Sequence, residues 1–317
     1  MKQTPLVSIL MPVFNREGMV PDAIRSIQNQ TFKDWELIIL DDGSYDNTLE
    51  VCRSFEKKDE RIRVYSNGKN LGVGETRNRL LTYVKGEYVA NHDSDDISSP
   101  QRLEKELTIL KEKPEVGIVS GIAAWLDDAG LIYRQFPDLL IRGGQYPQEK
   151  SEMVKMLYMG CVVVNPACMF RKEFIQDTPE PYSNYRYMDD WHFLIHMAHK
   201  TRMWGIPEVL VTMRRGKKHD HLSEFTLPAQ SEALQITKRM YEFYKDNPDS
   251  PINYMLYRKS IAPFLTQQGR ILCGWKGYLR ILQAVSCDPT HKRAWISLWE
   301  FSGRAFKKAK GMAVGNR

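Results

Sequence analysis

Over the first two hundred residues, short apolar, β-prone runs alternate with stretches whose apolar positions recur at helical spacing. Residues 6–11 form the first run, and 17–30 follow with Val20, Ala23, Ile24 and Ile27 three and four apart. Further strands are predicted over 35–40, 62–65 and 88–91. Between them fall a helix through Phe55, which Asn47 or Thr48 would cap, and a helix over 74–84. This alternation predicts an α/β fold, a parallel sheet covered by helices on both faces. Such sheets bind ligands outside the carboxyl ends of their strands, where the strand order reverses. Two acidic clusters, Asp41-Asp42 and Asp93 to Asp96, fall at predicted strand ends and are therefore expected on one rim.

Beyond Pro100 a helix is predicted to Glu112, then strands over 116–125 and 131–136 around the turn Asp127-Asp128-Ala129-Gly130. A helix over 151–158, an extended apolar segment over 161–170, an amphipathic helix over 189–199 and a last strand over 208–214 complete this part. From about Pro228 only helices are predicted, over 230–244, 254–268, 277–286 and 292–308. The change predicts a boundary near 226, with a catalytic domain over 1–226 and a helical extension over 227–317. Residues 277–301, two helices broken by Asp288-Pro289, resemble one hairpin of tetratricopeptide type. A single unit falls short of the roughly three that a repeat array needs.

Composition narrows the class. A chain of 317 residues, 42% hydrophobic and 26% charged, suits a soluble globular protein with a sizeable core. No apolar run approaches the roughly 18 residues that would span a bilayer. The opening MKQTPLVSILMPVFN lacks a small-residue cleavage site and reads as a first strand, not a signal peptide. Five widely spaced cysteines suggest neither a disulfide framework nor a zinc site, and a cytoplasmic setting is expected. The net charge of +6 is uneven: residues 270–317 hold ten Lys/Arg against two Asp/Glu, which leaves the remainder at −2. The basic end, 302–317, reads either as a disordered, solvated end or as a segment drawn to an anionic membrane at about 1 kcal/mol per basic residue, which would give a peripheral position on the inner face of the cell membrane. Nucleic acid is not expected as a partner, because no aromatic platform or recognisable module accompanies the charge.

Three segments could carry chemistry. Asp93, Asp95 and Asp96 crowd negative charge that a divalent cation would offset. Mg²⁺ and Mn²⁺ are commonly held by one or two carboxylates plus substrate phosphates. The alternative is a polar turn that caps the helix after Pro100. The turn Asp41-Asp42-Gly43-Ser44 could present a carboxylate to a base N–H or a ribose hydroxyl. Residues 70–78 contain G-x-G-x-x-R, with Arg77 where a dinucleotide fingerprint has its third glycine, and no strand immediately before it. A dinucleotide site is therefore rejected, but a helix start at 72–75 with Arg77 suits a diphosphate. Asp189-Asp190 opens a helix either as a capping pair or as a carboxylate base.

Order and position combine these signals. PVFN at 12–15, LDDGS at 40–44, NLGVGETRN at 70–78, HDSDD at 92–96 and MDDW at 188–191 together closely resemble the family 2 glycosyltransferases of GT-A fold, over roughly residues 5–225. The resemblance implies a Rossmann-like mixed, mostly parallel sheet flanked by helices, here with an α-helical C-terminal extension. It implies that Pro12, Val13, Asn15 and Asp42 (Asp41 as alternative) hold the nucleotide, with Asn70, Arg77, Asp93 and Ser94 also on the nucleotide-sugar. Asp93 and Asp95 would hold Mn²⁺ or Mg²⁺ on the diphosphate, and Asp96 matches an acid that often follows. His219, with His221 as alternative, would complete the metal shell. The family's acidic base follows a Glu where this chain has Asp189, and the role falls to Asp190.

The implied reaction is an inverting transfer from a nucleotide-diphosphate sugar, a uridine one, to a hydroxyl of a cell-surface polysaccharide or lipid-linked oligosaccharide. Charge on the departing diphosphate would be met by the metal and Arg77. Asp190 would take the acceptor proton, held ionised by the helix N-terminus. Two alternatives remain beside this reaction. A sugar nucleotidyltransferase would carry a Gly-rich loop and a basic residue where Pro12-Val13-Phe14-Asn15 stand. A non-catalytic nucleotide-sugar-binding protein would have no need of Asp42, Asp95 and Asp190 together. For His192, His196 and His199, and for Trp125, Trp191 and Trp204, packing is the expected role.

Overall fold

A computed structural model describes residues 4–176, 181–215, 226–272 and 274–300. They group into two compact units, one within 1–157 and 161–222, the other within 158–160 and 223–317.

The first unit is a mixed α/β sheet. Its opening half comprises β1 (Val7–Val13), α1 (Val20–Gln28), β2 (Trp35–Asp41), α2 (Thr48–Glu56), β3 (Ile62–Ser66), α3 (Val73–Thr82) and β4 (Tyr88–Asn91). These strands pair in parallel in the order β3-β2-β1-β4. β2 is buried along its whole length and β1 at all but one position, as expected for parallel strands covered on both faces. Pro12 sits within β1 without breaking it. Pairing with β4 ends at Leu10–Asn91, so on that side no carbonyl is left waiting for the missing N–H. α1 carries a proline in its first turn and buries Val20, Ala23, Ile24 and Ile27, the face read from the sequence.

The second half of the unit turns the sheet mixed. It contains β5 (Ile97–Ser98), α4 (Arg102–Glu112), β6 (Val116–Leu126), β7 (Ile132–Phe136), α5 (Asp138–Ile141), α6 (Lys150–Met159), β8 (Cys168–Arg171), α7 (Asp189–Lys200) and β9 (Arg202–Arg214). The full order is β3-β2-β1-β4-β8-β6-β9-β5, with β7 on β6, and β8 antiparallel to both of its neighbours. Two expectations change here. The apolar segment 161–170 is a strand only from Cys168, because a 3-10 turn, Asn165–Ala167, holds Pro166. The last strand begins at Arg202, not at 208. Its ladder with β6 slips between Ile206 and Val209, around Pro207, which has no N–H to give.

A fully buried ion pair ties the carboxyl end of β4 to this half. Arg102, at the start of α4, bonds Glu106 (3.1 Å), the carbonyl oxygens of Asn91 (2.7 Å) and Cys168 (3.3 Å), and Ser98 Oγ (3.0 Å). Both charged side chains are wholly inaccessible to solvent. Strands β4, β5 and β8 thus share one guanidinium.

The second unit is helical: α8 (Leu227–Tyr244), α9 (Tyr254–Leu272), α10 (Gly274–Cys287) and residues 292–300. Thr226 caps α8 by accepting from the Ala229 amide, with proline in the first turn. Ala262, Leu265, Ala284 and Ala294 form its small core. Gly269 lets α9 and α10 approach closely, since a Cβ there would lie 2.5 Å from Ile281 Cγ1.

Arg102→Met should lower the unfolding free energy in urea by on the order of 3 kcal/mol, because Glu106 and two carbonyls lose their partner in the interior. Adding Glu106→Leu should recover much of that loss.

Candidate active site

The carboxyl ends of β1, β2 and β4 meet at one rim, and the segments that follow them are bound to one another. After β1, Asn15 adopts a left-handed conformation (φ 51°). Its amide donates to Ser44 Oγ (2.9 Å) and its Oδ1 accepts from the Tyr45 amide (3.0 Å). The Arg16 amide donates to Thr48 Oγ1 (2.7 Å). Gly43 (φ 75°) lets the 41–44 turn touch the next loop, where a Cβ would lie 2.5 Å from the Lys69 carbonyl carbon. Pro12, Val13 and Asn15 therefore stand beside the Asp41-Asp42 turn.

The two acids of that turn are largely engaged by the protein itself. Asp41 accepts from the amides of Gly43 (3.1 Å) and Ser44 (3.2 Å) and from Ser66 Oγ (3.1 Å). Asp42 accepts from Asn67 Nδ2 (2.9 Å) and from the amides of Leu71 (2.8 Å) and Gly72 (2.9 Å). The chain entering α3 thus gives its amides to Asp42, where the sequence suggested they could face a diphosphate. A carboxylate accepts about four hydrogen bonds, so Asp42 keeps one lone pair, on Oδ2. Asn70 is exposed in the same loop.

Arg77 does something the sequence did not reveal. Its side chain is buried, with Nη2 on Asp93 Oδ1 (2.8 Å) and Nη1 on Asp189 Oδ2 (2.5 Å). Burial works against the guanidinium charge, but Asp189, Asp93 and Asp190 outweigh it and hold the group firmly protonated. Expected on the diphosphate, Arg77 instead joins the Asp93 turn to the start of α7, because both ends of its fork are taken by carboxylates. α3 is seated to do this. Gly74 meets the backbone of residue 183, and a Cβ there would lie 1.9 Å from the Ser183 oxygen. Asn78 exchanges two hydrogen bonds with Tyr182, Nδ2 to the carbonyl (2.8 Å) and Oδ1 from the amide (3.0 Å).

Around this guanidinium lie the remaining acids. Asp95 Oδ2 meets Arg16 Nε at 3.3 Å, and Ser94 is buried between Asp93 and Asp95 in the chain. Asp96 is buried, and its Oδ2 has no hydrogen-bond partner among the described residues. Burial, then Asp95 and Asp93, push its carboxyl well above the usual range against the pull of Arg215 and Arg102. Asp190 is half-buried in the first turn of α7. Burial raises its carboxyl, Arg77 opposes and Asp93 adds to the rise. The helix N-terminus was expected to keep it low, and burial among other acids wins. α7 is fixed below by Trp191, whose indole donates to the Leu157 carbonyl (2.6 Å). His192 and His196 contact each other at 3.3 Å, and His199 bonds the Ile195 carbonyl (2.9 Å), in keeping with packing roles.

Asp93 and Asp95 each give one oxygen to an arginine and retain the other. Hard oxygen donors, mutual repulsion and the unpartnered Asp96 oxygen fit a hard divalent cation. Among the described residues, no group of three or more His, Cys, Asp or Glu side chains is arranged to hold a metal ion. Two carboxylates completed by ligand oxygens is the usual arrangement for Mg²⁺ or Mn²⁺. His219 and His221 lie outside the described residues. Sequence reading missed Arg16, although it directly follows the PVFN motif, and it missed Arg102, whose hydrogen bonds to the Asn91 and Cys168 carbonyls reach 11 and 66 residues along the chain.

Residues 8–178 match Glycosyl transferase family 2. An uncharacterized glycosyltransferase of Methanocaldococcus jannaschii is 28% identical over 69% of this chain and 74% of its own length. A putative teichuronic acid biosynthesis glycosyltransferase, TuaG of Bacillus subtilis, is 39% identical over 34% of this chain and 43% of its own. In fold the chain is similar to S. aureus TarS 1-349, solved with UDP-GlcNAc (TM-score 0.65, 15% identity, 89% of this chain and 81% of that one). It is likewise similar to the mannosyltransferase PcManGT of Pyrobaculum calidifontis, solved with GDP-Man and Mn²⁺ (TM-score 0.60, 17% identity, 96% and 81%). The acidic rim, the order of its motifs and the match over more than half of its length agree: this chain belongs to glycosyl transferase family 2.

Proposed function

We propose that the protein is an inverting, metal-dependent glycosyltransferase. It moves a sugar from a nucleotide-diphosphate sugar, a uridine one, to a hydroxyl of a cell-surface polysaccharide or a lipid-linked oligosaccharide. The observation that carries this reading is the Arg77 bridge, which brings the Asp93-Ser94-Asp95 turn and the Asp189-Asp190 helix start to one rim. The nucleotide-sugar ligands of the two fold neighbours and the teichuronic acid role of one relative support the donor class and the kind of acceptor. Residues 1–226 form the catalytic domain in this reading, and 227–317 dock the acceptor, a partner or the membrane.

Each residue has a task. The rim at Pro12, Val13 and Asn15, with the spare lone pair of Asp42, receives the nucleotide, while Asp93 and Ser94 face the donor's ribose. Asp93 and Asp95 would hold the cation, which when bound supplies positive charge to the diphosphate oxygens. Asp190 accepts the proton of the acceptor hydroxyl as that oxygen attacks the anomeric carbon. Attack from the face opposite the departing diphosphate inverts the configuration. The raised affinity of Asp190 for a proton makes it a stronger base than an exposed aspartate.

Asp190→Asn should leave UDP binding with Mn²⁺ intact in a thermal-shift assay and lower transfer by about 10² to 10⁴. Because the folded Asp190 carboxyl is raised, the base is protonated and idle at low pH, and activity should climb with pH through a limb above the ordinary aspartate value of 3.8. Transfer by the variant at near the native rate would remove Asp190 from the role.

Arg16 covers one oxygen of Asp95 at a partly exposed ion pair, so guanidinium and cation compete for that carboxylate. Arg16→Met should tighten Mn²⁺ binding in calorimetry without donor, by about two- to fivefold, the scale of a partly exposed pair. Unchanged or weaker Mn²⁺ binding would mean that Asp95 does not receive the metal.

A further inference from the structure

We propose that the second unit carries a docking surface for an anionic membrane, formed by the outer side of α10 and of residues 292–300. On α10, Trp275 (72% exposed), Leu279 and Leu282 lie four and three residues apart and face solvent. At about 100° per residue they form one stripe roughly 60° wide. Ile281 and Ala284 on the other side of the helix are buried. α10 is therefore apolar on two sides, and only one is covered within the unit. The next helical stretch repeats the pattern, with Ala294 and Ser297 buried and Trp295, Ile296 and Trp299 (77% exposed) outward. Isolated exposed apolar residues are ordinary, but three tryptophans with three large aliphatics on consecutive helices are not.

Charge selects the occupant. From 274 to 300, the stretch that forms this surface, the chain has four basic residues, Lys276, Arg280, Lys292 and Arg293, against Asp288 and Glu300, a net charge of +2. Lys276 and Arg280 lie together on one side of the α10 stripe, about 60° and 100° round the helix from Leu279. A second copy seated on this face would bring two segments of like sign together, whereas an anionic lipid surface brings the opposite sign. Tryptophan suits the headgroup boundary, because its ring is apolar and its N–H is polar. The Trp295 N–H already donates to the Pro289 carbonyl (2.8 Å), so its indole can enter the boundary without leaving a donor unpaired. No helix among the described residues is long and apolar enough to cross a membrane. A helix lying in the interface, apolar side down with basic residues at its edge, needs no such length.

This surface is independent of the transfer reaction, and vesicles test it without donor or acceptor. The full chain should float with vesicles containing phosphatidylglycerol, not with pure phosphatidylcholine, and added salt should weaken the binding. Trp275→Ser with Leu279→Ser, and separately Trp295→Ser with Trp299→Ser, should each weaken binding about tenfold or more while the far-UV circular dichroism and cooperative urea unfolding are retained, which shows that the variants fold. Native binding by both variants would assign any membrane attraction to the basic residues 302–317 and overturn the proposal. Equal binding to both vesicle types, no binding, or a native dimer that these substitutions dissolve would overturn it too.

Discussion

One buried guanidinium sets the geometry of this protein's acidic rim. Arg77 stands with Asp93 on one prong and Asp189 on the other, and so joins α3, the turn after β4 and the first turn of α7. A buried arginine is costly unless it is paired, and carboxylates packed this closely are costly unless a cation stands among them. Each problem answers the other. The turn after β4 and the first turn of α7 are drawn to the same point, and Asp95 and Asp190 are carried with them.

The rest of the first unit serves that arrangement. The parallel strands bring three carboxyl ends to one edge, and Asn15, Ser44 and Thr48 bind the loops there into a single layer. Arg102 performs beneath the rim what Arg77 performs at it, joining β4, β5 and β8 through their backbone oxygens and a serine. Two arginines of the interior thus order the site, while Arg16, closer to solvent, stands where an incoming cation would compete. The second unit adds a different kind of surface, aromatic and basic, the one proposed to meet a lipid boundary.

Much of this was legible in the sequence because local pattern decides it. The first four strands and three helices follow from apolar spacing, and the acids at 41–42 and 93–96 lie at strand ends as expected. What escaped has physical reasons. β5 is two residues long, and β9 passes a proline by slipping its register. The tasks of the individual acids escaped most. Asp42 looked ready for a ligand, but its chief partners are amides 29 and 30 residues away. Arg77 looked ready for a phosphate, and its partner Asp189 lies 112 residues on. Sequence shows which groups can carry charge, and only the fold shows which of them have already met.

The dependence of the rim on Arg77 is tested most directly by a double-mutant cycle in urea unfolding, with Arg77→Met, Asp189→Asn and the two combined. Each single change is expected to cost on the order of 3 kcal/mol and the pair little more than either, a coupling of about 2 kcal/mol or above. Losses that add to within about 0.5 kcal/mol would show that the two residues act independently, and the bridge on which the site rests would not exist.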